Sequence, residues 1–274
     1  MPSDLHMHTS FSDGRLTPEE LIAEAKKAGL HYIALTDHDT VDGISHLYES
    51  GLFPTKGIHI IPGIEFSAHH PLHEVHILGY GIDIFCTSLL DKLNEVTDAR
   101  WSRFSEIVEK LNGLGYAITE ADVLAIAGVS KSISRSHIGR VLVKKGYFDS
   151  VRSAFKELLS KGQPAYVPHY RLEVEEVLSL ILAAEGRAVL AHPKLVYDEE
   201  LVERICQMGI DGIEVFYPQH DEDDTAHYLE LAKKYGLLPA GGSDFHGFPI
   251  RYPTEIGVFT IPDEYAVPFY RAEN

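Results

Sequence analysis

The sequence predicts an α/β fold in which seven parallel strands close into a barrel near the (β/α)₈ type, interrupted by an all-helical insertion. Three observations carry this. Short apolar runs alternate with amphipathic helices, as successive βα units do. The runs number seven, enough for a barrel. His6, His8, Asp37, His38, Glu65, His76, His192, Asp244 and His246 all stand at or just past the carboxyl ends of these runs. In a barrel those ends form one ring, whereas an open doubly wound sheet would string them along a line too long to share a site.

The elements follow in order. Residues 5–8 form the first strand, and Thr17-Pro18-Glu19-Glu20 starts a helix with a capping box and a proline at its first position; the helix ends at Gly29. Strands are expected at 33–36, 58–65 and 75–80, with a short helix around 43–50. Alternation resumes with strands at 189–192, 212–216 and 238–242, separated by helices near 198–208 and 221–235. Between about 89 and 165 the pattern is helical only. Leu89, Leu90, Leu93, Val96, Trp101, Phe104, Ile107, Val108 and Leu111 recur at threes and fours, so one long helix buries that stripe and stops at Gly113 and Gly115. Shorter helices are expected from Thr119, over 134–145 and over 150–160. The barrel is therefore assigned to 1–88 and 166–274 and the insertion to 89–165, with a loose tail at 271–274.

Composition bounds the function. With 45 % hydrophobic and 24 % charged residues, the chain has the balance of a soluble globular protein. It offers no apolar stretch long enough to span a membrane and no signal peptide, so a cytoplasmic protein is expected. Cys86 and Cys206 form no disulfide framework and read as buried thiols. A net charge of −17 argues against a broad basic face for long duplex nucleic acid. Three bound divalent ions would bring the total only to about −11, yet would make the site itself attractive to anions. Phosphorylated small molecules or short oligonucleotides fit that balance.

The chemistry-bearing residues come in six blocks: DLHMHTSFSDG, LTDHDT, PGIEFS, HILGYG, AHP and GGSDFHG. His6 with His8, and Asp244 with His246, are spaced i, i+2, so on an extended segment each pair projects to one side. Imidazole with carboxylate suits Zn²⁺, Mn²⁺ or Fe²⁺. One histidine alone would more simply be packed or solvated, but six blocks of one pattern are not explained that way. His69, His70 and His73 beside Pro71 read instead as a solvated turn, Asp221 to Asp224 as a helix start, and Glu214 as a supporting contact at most.

Together these blocks resemble the motifs of the polymerase and histidinol phosphatase (PHP) family of metal-dependent phosphoesterases. The likeness runs from residue 4 to about 247, and the helical interruption falls where one subgroup carries an insertion. That subgroup acts on nucleoside 3′,5′-bisphosphates or the 5′ ends of short RNA. The resemblance implies a distorted (β/α)₇ barrel, in line with the strand count. It also implies two to three divalent ions, manganese, zinc or iron, held in three sets. His6, His8, Glu65 and Asp244 would form one; Glu65, as a bridging carboxylate, with His76 and His192 a second; Asp13, His38 and His246 a third. Asp13 stands where some relatives have histidine. The nucleophile implied is hydroxide from water held between ions, with no side-chain nucleophile; no GxSxG elbow or motif-adjacent cysteine suggests otherwise.

Substrate contacts are expected from the insertion. In SISRSHIGRVLV, Ser134, Arg135 and His137 lie at a helix start, where backbone N–H groups favour phosphate, and the subgroup has this pattern facing the metals. Arg135 is the residue chosen for a second phosphate; a capped helix with an exposed arginine is the plainer reading. In SKGQPAYVPHY, Gln163 stands where relatives commonly have lysine; Lys161 is the substitute, and Tyr166 could stack on a base or simply pack. A histidinol-phosphate phosphatase and a non-catalytic metal- or nucleotide-binding module are the competing functions. Oligomeric state is not legible.

Overall fold

The computed structural model describes residues 1–170, 172–248 and 251–271. Of the loose tail expected at the C-terminus, residues 272–274 lie outside the described residues.

All seven expected strands form. They are β1 (Pro2–Met7), β2 (Tyr32–Leu35), β3 (His59–His69), β4 (Glu74–Tyr80), β5 (Arg187–Leu190), β6 (Gly212–Phe216) and β7 (Leu238–Gly241). A two-residue strand, β8 (Ile261–Pro262), pairs antiparallel with the start of β1. The sheet order is β7-β6-β5-β4-β3-β2-β1-β8. Past the end of β7 the chain bridges to β1 at Met7 and Phe245, with His8 N–H donating to the Phe245 carbonyl at 2.9 Å, so the ring is nearly closed.

The expectation of an all-parallel sheet is corrected at β4, which runs antiparallel to both β3 and β5. Only residues 70–73 separate β3 from β4, and a link this short can make a hairpin but not the crossover a parallel pair needs. β3 also extends four residues past the predicted end, because hairpin pairing gives Phe66 to His69 ladder partners on β4.

Period-two alternation divides each strand between two apolar clusters. Ile33 and Leu35 of β2, Ile64 and Phe66 of β3, and Val75 and Ile77 of β4 face the surrounding helices. Ala34, Ile61, Leu78, Tyr80, Val189 and Ala240 fill the barrel interior, closed below by Ile261, Ala266 and Phe269. Further along β3, positions of the same parity as Ile61 become Glu65 and Ser67; on β4, running the other way, His76 and Glu74 follow Tyr80 and Leu78. The interior is thus apolar at one end and ligand-bearing at the other.

Helices α1 (Pro18–Lys27) and α2 (Asp42–Glu49) flank the first strands. The capping box at Thr17 forms as the sequence predicts. Next come α3 (Thr87–Gly113), α4 (Glu120–Ala127), α5 (Arg135–Lys144) and α6 (Val151–Ala154), the last running into a π turn over Phe155–Leu159. α3 straddles two cores: Leu89, Leu93 and Val96 pack with the barrel, while Phe104, Ile107, Val108 and Leu111 pack among the inserted helices. Its predicted stripe needs one correction. Trp101 is 39 % exposed, and Arg100 and Arg103 are buried in its place, because polar groups at the barrel mouth lie opposite that part of the helix. A helix absent from the sequence reading, α7 (Val174–Ala183), leads into β5 and packs against the barrel with Val177 and Ile181 buried. α8 (Glu199–Cys206) and α9 (Glu222–Tyr235) complete the set.

Candidate metal centre

The nine side chains expected to bind metal converge at one end of the barrel. Glu65 is the hub. Its Oε1 accepts from His76 Nδ1 at 2.8 Å and lies 3.0 Å from His192 Nε2, while Oε2 lies 3.3 Å from His6 Nε2, 3.2 Å from His8 Nε2 and 3.0 Å from His38 Nδ1. Asp244 Oδ1 is 3.2 Å from His8 Nε2, and Asp13 Oδ1 is 3.1 Å from His246 Nε2. Three groups have ligand atoms within 4.8 Å of one another: His8, Asp13, His38 and His246; His6, His8 and Asp244; and His38, Glu65 and His76. They overlap the three expected sets without coinciding with them, since His8 and His38 each serve two groups and His192 reaches only Glu65.

His76 arrives by a route the sequence did not reveal. It lies near the amino end of β4, not at a carboxyl end, and reaches the ring because β4 runs antiparallel. Two other residues are delivered by uncommon backbone: His192 and Asp244 have φ of 27° and 51°, in the left-handed region that non-glycine residues rarely enter. Glycines close to Asp13 and Asp244 in sequence permit close approach. A Cβ at Gly242 would lie 2.3 Å from His6 N, and one at Gly14 would lie 2.3 Å from the His8 carbonyl oxygen, so both loops can press on β1 only without side chains there.

Supporting contacts orient the ligands. His6 Nδ1 pairs with Glu214 Oε1 at 3.0 Å, and the other Glu214 oxygen accepts from His192 N–H at 2.7 Å. His246 Nδ1 lies 2.9 Å from the Asp244 carbonyl. Such a partner on the far nitrogen is how metal-binding imidazoles are held in one tautomer. Asp37, at a strand end but in none of the three groups, accepts from Thr9 N–H, Thr9 Oγ1 and Ser12 Oγ at 2.5–2.7 Å and so shapes the loop that presents Asp13.

Burial penalises charge here, yet the carboxyls of Glu65, Asp13 and Asp244 are held well below the usual carboxylate range. Imidazoles around Glu65 and Asp13 do this, and Arg251 with His246 does it for Asp244. Burial drives His38 down to about 3, keeping its ring neutral with a free lone pair. The fit to cations is tested by the unpartnered atoms. His6 Nε2, both ring nitrogens of His8, His38 Nδ1, His246 Nε2, Asp13 Oδ1 and Glu65 Oε2 are buried without a hydrogen-bond partner among the described residues. Groups of this kind cost free energy unless something satisfies them. Burial opposes charge on His6, His8 and His76, but the neighbouring carboxylates push all three up, His8 to about 9. Positive ions at these points would take the place of those protons and satisfy the converging nitrogens and anionic oxygens.

Two cavities open onto the cluster. One of about 260 Å³ is lined by His38, Glu65, His192, Tyr217, Asp244 and Arg251. The other, about 240 Å³, is lined by Asp13, His38, His76, Ser134, Arg135 and Arg251, among others. Arg135 stands in it, with Nη2 2.5 Å from Glu74 Oε1 and Nη1 donating to the Leu159 carbonyl. Ser134 caps α5 and donates to Asp13 Oδ2 at 3.3 Å. His137 is spent on the cap: its Nδ1 accepts from Ser134 N–H, and it lines neither cavity. Lys161 and Tyr166 line a neighbouring cavity instead, and Lys161 Nζ donates to the Pro71 carbonyl.

The sequence reading missed Arg251 and Tyr217. Arg251 lines both cavities, donating to Asp244 Oδ2 at 2.6 Å, and Tyr217 OH donates to the same oxygen at 3.0 Å. Both lie in irregular segments outside the six blocks, so no local pattern marked them.

Comparison with known proteins agrees with this geometry. The PHP domain model matches residues 4–174. A 3′,5′-nucleoside bisphosphate phosphatase from Chromobacterium violaceum is 34 % identical over 249 residues, covering 89 % of this chain and 86 % of the relative. The 5′-3′ exoribonuclease Rnm of Escherichia coli is 34 % identical over 250 residues, with 89 % and 84 % covered. A crystal structure described as a putative metal-dependent phosphoesterase from Bifidobacterium adolescentis superposes with a TM-score of 0.87 at 29 % identity, covering 97 % of this chain and 94 % of that one. With its ligand-bearing barrel end and these matches across most of its length, the chain belongs to the PHP family and is a metal-dependent phosphoric ester hydrolase.

Proposed function

We propose that the enzyme hydrolyses a phosphate ester of a nucleotide bearing a second phosphate, either a nucleoside 3′,5′-bisphosphate or the 5′ end of a short RNA, drawn from the cytoplasmic pool. The observation that carries this is the position of Arg135. Its guanidinium shares a cavity with Asp13, His38 and His76 yet contacts none of them; it is offset toward the insertion, where a phosphate other than the reacting one would sit. Both named relatives act on nucleotide or RNA substrates. Histidinol phosphate, with a single phosphate, would leave Arg135 with Glu74 as its anion and no substrate contact.

We assign two to three divalent ions, manganese, zinc or iron, to His6, His8, Asp13, His38, Glu65, His76, His192, Asp244 and His246. When bound, they would supply an activated water and offset charge developing on the phosphoryl oxygens. The chain's own residues do the rest. Glu65 joins the groups into one unit, and Glu214 and the Asp244 carbonyl hold imidazoles in place. Arg251, which lines both cavities and bonds Asp244, faces the reacting phosphate. A phosphate at Arg135 would use the guanidinium N–H groups not engaged with Glu74 and the Leu159 carbonyl.

Arg135→Ala should weaken kcat/KM for a bisphosphorylated nucleotide by about 2–3 kcal/mol, the scale of a charge-assisted bond, and change a simple monoester little. His192→Ala should depress both substrates alike. Equal losses on both substrates for Arg135→Ala would remove it from recognition of a second phosphate.

A further inference from the structure

A third cavity of about 370 Å³ adjoins the metal cluster and exceeds the two that open onto it. One wall is the β3–β4 hairpin with His69, His70 and His73; the other is the segment leaving the insertion, with Lys161 and Tyr166. Glu74 and His76 line this cavity and both metal-facing ones, so whatever occupies it lies next to the reacting group.

Its chemistry is that of a nucleotide site. Two carboxylates at the pocket are already engaged, Glu74 by Arg135 and Asp198 by His73 at 3.1 Å, so the lining presents Lys161 and the remaining imidazoles to an anion. Planar groups line it: the rings of His70 and His73 stack on each other at 5.3 Å, and Tyr166 lies under the Arg135 guanidinium, 5.8 Å from its centroid. His69 Nε2 is buried and has no hydrogen-bond partner among the described residues, as a group that reads the edge of a base would be. A merely solvated turn would leave its imidazoles in water; here one ring nitrogen is removed from water and left unpaired.

We propose that this hairpin pocket seats one additional nucleotide of a single-stranded RNA, joined to the phosphate held at the metal cluster. The proposal rests on the nucleotide reading above and narrows it: the preferred substrate is longer than a mononucleotide. Single-stranded recognition works through stacking on planar side chains with cations along the backbone, which is what the pocket offers.

The test compares kcat/KM of the manganese-loaded protein on a nucleoside 3′,5′-bisphosphate and on 5′-phosphorylated di- and trinucleotides. One added nucleotide should raise kcat/KM roughly tenfold, as one stacked base does, and a second should add less than about twofold. In His70→Ala and in Lys161→Ala the gain from the first added nucleotide should fall to near one. Calorimetric binding of the same mono- and dinucleotides to the metal-free protein reads that ratio without turnover. Equal values for mono- and dinucleotide in the unmodified protein, or a gain that survives both substitutions, would overturn the pocket assignment while leaving the bisphosphate reading intact. Hydrolysis of p-nitrophenyl phosphate with no nucleotide hydrolysed would sink both.

Discussion

Glu65 concentrates the chemistry of this protein at one side chain, because its two oxygens lie within 3.3 Å of nitrogens from five histidines. Against the opposing effect of burial, the surrounding carboxylates push His6, His8 and His76 up, while burial drives His38 down, so cations entering the cluster would displace protons. Outer-contact residues of metal sites already cost 10–100-fold when removed. If Glu65 joins ions as proposed, Glu65→Ala should therefore cost more than about 100-fold in kcat, with bound metal per chain falling in elemental analysis. Near-normal turnover in that variant would mean the groups do not act as one unit. The nine residues that converge here stood out beforehand, since each falls in one of the short sequence blocks. Arg251 was not, because nothing local distinguishes it from a surface arginine; only the return of its segment over Asp244 gives it a role.

Among the elements, α3 and β4 contain what periodicity could not deliver. Alternation shows which residues share a face but carries no direction, so the reversal of β4 was invisible even though its span was predicted. α7 escaped notice because its N-terminus at Glu173 lacks a side-chain cap and its run from Val177 to Ala183 is apolar but for Ser179, the pattern of a buried strand as much as of a helix. On α3, the two buried arginines anchor the insertion to the barrel. Arg100 pairs with Asp39 and also bonds Ser67 Oγ and the Ile133 carbonyl, linking β2, β3 and the approach to α5. Both partners are nearly inaccessible, so Arg100→Ala leaves Asp39 buried and unpaired and should lower unfolding stability by about 3–5 kcal/mol. Urea denaturation measures it; a loss under 1 kcal/mol would show that water replaces the guanidinium. Arg103 has a titratable neighbour. Its Nη1 lies 3.2 Å from His169 Nδ1, and burial together with the Arg103 charge holds that imidazole well below its ordinary range. A base with a depressed folded-state pKa binds its proton first in the unfolded chain. Its contribution to stability is full above about pH 6.5 and falls as the pH drops below that, by at most about 1.4 kcal/mol per unit. His169→Gln should flatten the change in stability between pH 7 and 5.5; an identical slope in both proteins would show that His169 is protonated when folded.

At the scale of the whole molecule, the barrel trades part of its interior for function. Below, the interior is filled by residues such as Ile61, Leu78, Tyr80 and Phe269. Above, the same positions hold carboxylates and imidazoles, several unpaired, where an ordinary barrel would have another apolar layer. The ring is also fastened weakly there: between β7 and β1 it closes through the Met7–Phe245 bridge and its neighbouring hydrogen bonds, and Asp244 and His246 flank Phe245. Ions bound at this level would link β1, β3, β4 and the loops after β2, β5 and β7, tightening closure as well as enabling chemistry. Ligands that bind only the folded state stabilise it by RT ln(1 + [L]/Kd), about 2.7 kcal/mol at a hundredfold excess over Kd. At roughly 2–4 °C per kcal/mol for a domain of this size, the metal-loaded protein should melt about 5–10 °C above the chelator-treated one. The gain should shrink in Asp13→Ala and nearly vanish in Glu65→Ala, because Asp13 belongs to one ligand group whereas Glu65 meets five imidazoles. A melting temperature indifferent to chelation would mean that the polar layer is stable on its own and that its unpaired atoms are satisfied by water.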